Sequence, residues 1–408
     1  MLLNNIFLFM TMAFPKAGVL IASTPITIAE ILFAICIIKY RGYILDFIRK
    51  NKYWTVFYGL YVFTIIIATL INLNEAPLFR IAISVVLTIS PLSIGIGKSL
   101  EISKSIKIVT ICLIIVGMYA LVQWSFGINN TKVEGLTYAY GDTLDDKTNG
   151  YGVDGREAIK MPSTYQVGNG AGLFYILALA ALISYKSGNK LLKYFAIIIG
   201  MIGLLMSGSR SAIIPFIILI PYVIYNLYKK LKTNKGRQIF LLSVILIIII
   251  SILYITLFNS ELIEYAYNRY ILTTLSDSTG SGRTTMIAKA FEEISKQNFF
   301  GKVRCILLGV PWEIGATSEG ILYTFFKYGI ITMISFLAIL ILPIIKLFKK
   351  GNKIMAIGLL GVFIAFCVDS SFNYPPALIN YFLLAGIFMN YRQEGKTILK
   401  KSQEEVHR

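Results

Sequence analysis

Histidine is all but missing from this chain, the single copy being His407. No segment outside the basic tail can therefore use histidine as a base, a nucleophile's partner or a metal ligand. Cysteine is scarce as well. Of Cys36, Cys112, Cys305 and Cys367, three lie in apolar runs and one stands alone in a loop. No two have metal or redox spacing, so neither a zinc site nor a disulfide is expected. Charge is the third shortage. Only 15% of the residues are charged, against roughly 25% in a soluble domain. That excludes an ordinary soluble protein. Period-2 alternation is absent from the apolar runs, which excludes transmembrane strands. No small-residue cleavage site follows the first run, so no removable leader is expected.

What remains is apolar. Hydrophobic residues make up 56% of the 408, gathered in runs whose repeated length of about 20 crosses a bilayer as a helix. The runs are Leu2–Phe14, Gly18–Ile38, Tyr53–Ile71, Leu78–Gly97, Ile106–Phe126, Tyr165–Tyr185, Leu191–Met206, Ala212–Tyr228, Phe240–Phe258, Ile321–Ile345, Ile354–Val368 and Pro376–Met389. The expected fold is all-α: a polytopic integral membrane protein of about twelve transmembrane helices, eleven if the first two runs form one hairpin. Residues 1–408 form a single membrane domain with two large external loops, 127–164 and 259–317.

The net charge of +18 is not a nucleic-acid footprint, because of where it sits. Twenty-five of the 39 Lys and Arg fall in six short segments: Lys39–Lys52, Lys98–Lys107, Lys186–Lys193, Lys229–Arg237, Lys346–Lys353 and Arg392–Arg408. They alternate with acidic or mixed loops, which is the positive-inside pattern. Both termini, including the tail 392–408, are expected in the cytoplasm, and both large loops outside.

Fourteen Lys and Arg lie elsewhere, and six of them are Arg80, Arg156, Arg210, Arg269, Arg283 and Arg304. Guanidinium suits bidentate contact with phosphate or carboxylate, so the arginine share points to an anionic ligand. Ordinary pairing with loop acids is the other reading. Arg210 sits in the polar knot Met206-Ser207-Gly208-Ser209-Arg210-Ser211, between two apolar runs. An arginine there either serves function or snorkels to the interface as an anchor. In the second loop, Ser281-Gly282-Arg283 opens a helix whose Met286, Ile287, Ala290, Phe291 and Ile294 share one face, with Lys289, Glu292, Glu293 and Lys296 on the other. It is expected to lie on the membrane, with Arg283 at an N-terminus that favours phosphate. Gly280-Ser281-Gly282 lacks the Lys of a Walker loop. Asp145-Asp146 lacks a third ligand, and no metal or cofactor is expected. Gly168-Asn169-Gly170-Ala171-Gly172 reads as a site of close helix packing.

Together these parts resemble the O-antigen polymerase and O-antigen ligase superfamily (Wzy- and WaaL-like). Ser207-Gly208-Ser209-Arg210 is similar to that family's Ser-x-Ser-Arg turn. Ser281-Gly282-Arg283, with Ala290-Phe291, Ile294 and Phe300-Gly301, is similar to its Ser-Gly-Arg stretch and amphipathic helix, although Ile287 stands where an aromatic is common. Gly329 and Thr332 match the end of a third motif, but Ser318 occupies its histidine position and Glu319 follows. That departure excludes a ligase dependent on the histidine and points to the polymerase branch.

The resemblance implies an enzyme of the bacterial cytoplasmic membrane. It would join undecaprenyl-pyrophosphate-linked oligosaccharide repeat units at the external face into capsule, exopolysaccharide or O-antigen. Arg210 and Arg283 would neutralise the leaving pyrophosphate, and Glu319 would take the acceptor proton, with Asp277 and Glu313 as alternatives. Arg156, Arg269 and Arg304 would join Arg210 and Arg283 in binding substrate. Membrane lipids, a flippase and a chain-length regulator are the implied partners. The rival readings are a lipid-linked oligosaccharide flippase, a glycan ligase and a non-catalytic membrane scaffold.

Overall fold

The computed structural model describes residues 2–21, 24–72, 77–140, 160–165, 167–213, 215–217, 283–310 and 319–391, with residues 225, 228, 233, 234 and 238. The run Phe240–Phe258 and the tail 392–408 lie outside these residues.

The described chain is almost wholly helical. In order, the elements are α1 (Leu2–Ala13), β1 (Gly18–Ile21), β2 (Thr24–Thr27), α2 (Ile28–Lys39), α3 (Arg41–Lys50), α4 (Lys52–Ile71), α5 (Pro77–Ile89), α6 (Ser93–Ser99) and α7 (Ile102–Phe126). Then follow α8 (Gly168–Ser184), α9 (Lys190–Met206), α10 (Arg283–Lys296), α11 (Phe299–Leu308), α12 (Ile321–Tyr328), α13 (Ile330–Lys349), α14 (Lys353–Val368) and α15 (Pro375–Met389). Among the described residues, four helical stretches are long and apolar enough to cross a membrane: Lys52–Ile71, Ile81–Ser99, Ile102–Phe126 and Ile330–Lys349. Helices α1, α8, α14 and α15 are apolar but shorter.

Three expected runs are not single α-helices. Leu78–Gly97 passes through a 3-10 turn at Ser90–Leu92, between α5 and α6. Gly18–Ile38 begins as an antiparallel hairpin pairing Gly18 with Thr27 and Ile21 with Thr24. Only Ile28–Lys39 is helical, and it starts at a capping box in which Thr27 and Glu30 bond each other's backbone N–H. The hairpin is held from outside: the Gly18 and Leu20 N–H groups donate to the carbonyls of Gly135 and Tyr140 at 3.0 and 2.8 Å. The run Ile321–Ile345 breaks at Gly329, whose φ of +88° is open to glycine and strained for other residues. A Cβ there would also lie 2.0 Å from the Leu307 carbonyl oxygen. The expected loop cysteine, Cys305, is instead buried in α11.

Helices α8 and α15 are buried on nearly all sides and form the centre of one core. Such helices need small residues where neighbours cross. A Cβ on Gly97 would come 2.1 Å from the Leu383 carbonyl oxygen, and one on Gly386 would come 2.1 Å from that of Ile94. Helices α6 and α15 thus cross backbone to backbone. Gly386→Leu is expected to lose roughly 1–3 kcal/mol or more by overpacking, seen as a lower Tm and a poorer yield of detergent-stable protein.

The basic segments gather at one end. Asp46 accepts from Lys50 at 2.6 Å and Lys98 at 3.3 Å. Those hydrogen bonds, that of Lys50 first, hold its carboxyl below the usual range. Lys98 and Lys346 each lie 5.8 Å from the centre of the Phe47 ring. Lys346 also donates to Asn51, and Lys350 to the Met389 carbonyl. Lys193 donates to the Tyr185 carbonyl, and the Tyr185 ring packs on Tyr391. Four of the six basic segments therefore share this end, and successive core helices run to and from it.

Candidate functional site

The far end of the bundle holds the polar knot. Ser207 caps the C-terminus of α9, with its hydroxyl donating to the Leu204 carbonyl at 2.6 Å. Gly208 then turns the chain at φ +61°. Ser209 starts the next helical stretch, 210–213, by accepting the Ala212 N–H on its side chain at 3.3 Å. This is N-capping, for which serine is well suited. Ser207 and Ser209 are fully buried, while Arg210, at the first helical position, is half-buried. With the two serines engaged in capping, the half-buried polar side chains of the turn are Arg210 and Ser211, the latter bonded to the Ser209 hydroxyl at 3.1 Å.

Glycine explains where this turn sits. A Cβ on Gly168 would meet the Ser207 carbonyl oxygen at 2.1 Å, and one on Gly172 would meet the Ser209 and Ala212 Cβ atoms at 2.9 and 2.7 Å. The glycine-rich start of α8 thus packs where close packing was expected, and its partner is the arginine turn. A third strand of chain closes the contact: the Met161 N–H donates to the Met206 carbonyl at 3.0 Å.

From α8 the polar contacts run on. Lys160 donates to the Asn169 side-chain oxygen at 3.3 Å, and the Asn169 amide donates to Asp369. The other Asp369 oxygen accepts the Ser371 N–H at 2.9 Å and the Ser371 hydroxyl. Asp369 ends α14 and is only 7% exposed. Burial of a carboxylate is costly unless it is hydrogen-bonded, and these donors supply that. Beside it, Tyr374 lies 3.5 Å from where a Gly170 Cβ would be, with the Tyr165 ring centre 6.4 Å away.

Glu319 reaches the same neighbourhood through its successor. Gly320 has φ +65°, and a Cβ there would lie 2.2 Å from the Cys367 carbonyl oxygen. The Glu319-Gly320 pair is therefore seated on the last turn of α14, two residues before Asp369. Glu319 does not open a long span, as expected, but a helix of eight residues that stops at Gly329. Arg210, Lys160, Asn169, Asp369 and Glu319 stand at one end of the bundle, linked by consecutive backbone or side-chain contacts.

The other expected residues divide. Arg304 donates to the Asn72 side chain at 3.2 Å at the head of α4, and Asn72 donates to the Leu308 carbonyl at 3.3 Å. This places Arg304 on the α4–α11 side of the bundle and gives it a structural bond. Arg283 is the first residue of α10, as expected, but its side chain lies outside the described residues. Arg156, Arg269, Asp277 and Glu313 lie outside them too. The apolar face of α10 has the expected spacing, but it packs on protein instead of lying on the membrane: Ala290 and Ile294 are buried in a cluster with Cys305, Phe325 and Phe326, and the Phe291 ring meets Phe326 edge-on at 5.2 Å. Among the described residues, no group of three His, Cys, Asp or Glu could hold a metal.

Asp369, Asn169 and Lys160 received no role from the sequence. The available signal was Asp369 itself, the one acid between the runs Ile354–Val368 and Pro376–Met389. A scan against protein-family models finds no match, and a search of curated proteins finds none either.

Proposed function

We propose that this chain is a polysaccharide polymerase of the bacterial cytoplasmic membrane, acting on undecaprenyl-pyrophosphate-linked oligosaccharide repeat units at the external leaflet. The observation that carries the reading is the convergence of a half-buried cation, Arg210, and two carboxylates, Glu319 and Asp369, at the end opposite the basic segments. The positive-inside pattern makes that end external. Twelve spans with cytoplasmic termini complete the proposed topology.

The chemistry is a glycosyl transfer. A hydroxyl on the acceptor unit attacks the anomeric carbon of the donor chain. The bond from that carbon to the pyrophosphate oxygen breaks, and undecaprenyl pyrophosphate leaves with the electron pair. The hydroxyl proton passes to a carboxylate, Glu319 in this reading. Arg210 neutralises charge as it develops on the pyrophosphate, joined by Arg283. Asp369 holds Asn169, and through it Lys160, beside the arginine turn. The donor is already activated, so no nucleotide sugar is consumed.

Deleting the gene and sizing the glycan tests the reading. Loss of a polymerase leaves single repeat units, exported and attached. Accumulation of units inside the cell, with no surface glycan, would instead identify a flippase. Long chains stranded on lipid would identify a ligase.

A further inference from the structure

We infer that α11 is an in-plane membrane helix, docked on the phospholipid headgroup boundary by an apolar stripe edged with cations. This surface is independent of the glycan reading. Phe299, Phe300, Val303, Ile306 and Leu307 are all exposed, the two phenylalanines 73% and 81% so. At 100° per residue they fall within an arc of about 120° on one face. Lys302 borders that arc on one side and Arg304 on the other, while Cys305 is buried on the back against the protein. An apolar stripe with a cation at each edge suits a helix half-sunk in a leaflet, its cations reaching up to phosphate.

The depth of α11 supports the lipid surface as occupant. Ten residues span only about 15 Å as a helix, too short to cross. Its C-terminal end is pinned to the heads of two helices that are long enough. Arg304 and Leu308 bond Asn72, which directly follows α4. The Leu307 carbonyl packs on Gly329, which directly precedes α13. Each of those helices has twenty residues, about the 30 Å thickness of the hydrocarbon. Their heads therefore mark the hydrocarbon boundary, and α11 lies at that level. The two acids of the preceding helix are matched in number by Lys289 and Lys296, and Glu292 and Glu293 both pair with Lys296 at 3.0 and 2.9 Å. The Val310 N–H bonds the Phe326 carbonyl at 2.7 Å, so the depth of α11 sets the height of α12 and of Glu319.

Tryptophan placed on the stripe tests this. Full-length Phe300→Trp is reconstituted into phosphatidylcholine–phosphatidylglycerol vesicles, and its emission is compared with that of wild type, which carries Trp54, Trp124 and Trp312. The expected result is a blue-shifted added emission. Lipids brominated near the headgroup end of their chains should remove most of it, and aqueous iodide little. Phe299→Trp repeats the measurement if the first variant is not recovered folded. Quenching by iodide but not by bromolipid would overturn the inference, because the stripe would face water. Quenching by neither would overturn it too, because protein would cover the stripe. Strongest quenching from bromines at the chain ends would also overturn it, because the helix would then plunge inward.

Discussion

Replacing Arg210 by alanine is expected to abolish long glycan chains while single repeat units still reach the surface. The side chain stands at the first position of a helix whose cap, Ser209, is untouched by the change. The alanine variant therefore keeps the turn and loses the guanidinium. If that group stabilises a departing pyrophosphate, its removal costs about 10²–10³ in rate, the loss typical of one preorganised donor. Arg210→Lys keeps a point charge but not the planar fork, so intermediate chain lengths are expected. Gel sizing of glycan, with immunoblotting of membranes for the protein, reads both outcomes. Full-length product from Arg210→Ala would sink the electrostatic role and leave the arginine as an interfacial anchor.

Gly168→Ala is expected to be nearly as damaging, although it adds one methyl group and removes no charge. That methyl would stand 2.1 Å from the Ser207 carbonyl oxygen, a backbone atom with no rotamer to change. Either α8 or the arginine turn must shift. Both carry residues of the candidate site: Asn169 on one, Arg210 on the other. Overpacking of this kind costs roughly 1–3 kcal/mol, and the accompanying displacement should shorten the glycan. Gly59→Ala is the control. Nothing lies within 4 Å of a Cβ there, and alanine stabilises a helix over glycine by roughly 1 kcal/mol. A lower Tm and shorter chains for Gly168→Ala, with neither for Gly59→Ala, is the expected pair of results. Wild-type chain lengths from Gly168→Ala would show that the turn need not sit where it does.

Much of this was legible residue by residue. The Lys and Arg segments announced a common end, and Asn51, Asp46, Tyr391 and Met389 join four of them there. The amphipathic face of α10 followed from its spacing. Gly168 and Gly172 announced close packing of some kind. Other features were hidden because their causes are not local. Val19, Leu20 and Ile21 are as apolar as any span, and they form a strand because Gly135 and Tyr140 offer carbonyls. Phe325–Ile331 reads as unbroken helix apart from Gly329, whose role depends on the approach of Leu307. That Arg304 also bonds Asn72, more than two hundred residues away, could not be read from either segment.

Hydropathy is a transfer free energy summed along a short window. The sequence alone could therefore determine that the chain is built of apolar helices, with most of its cations in short segments between them. It could also single out Arg210 and Glu319 as charges in expensive places. Which charges share an end of the bundle depends on contacts, through backbone or side chain, between segments 39 to 200 residues apart. Ser207 on Gly168, Asn169 on Asp369 and Gly320 on Cys367 are such contacts. Only the folded chain joins the arginine turn to the two carboxylates, because glycine lets backbones touch and nothing in a sequence window says which backbone will arrive.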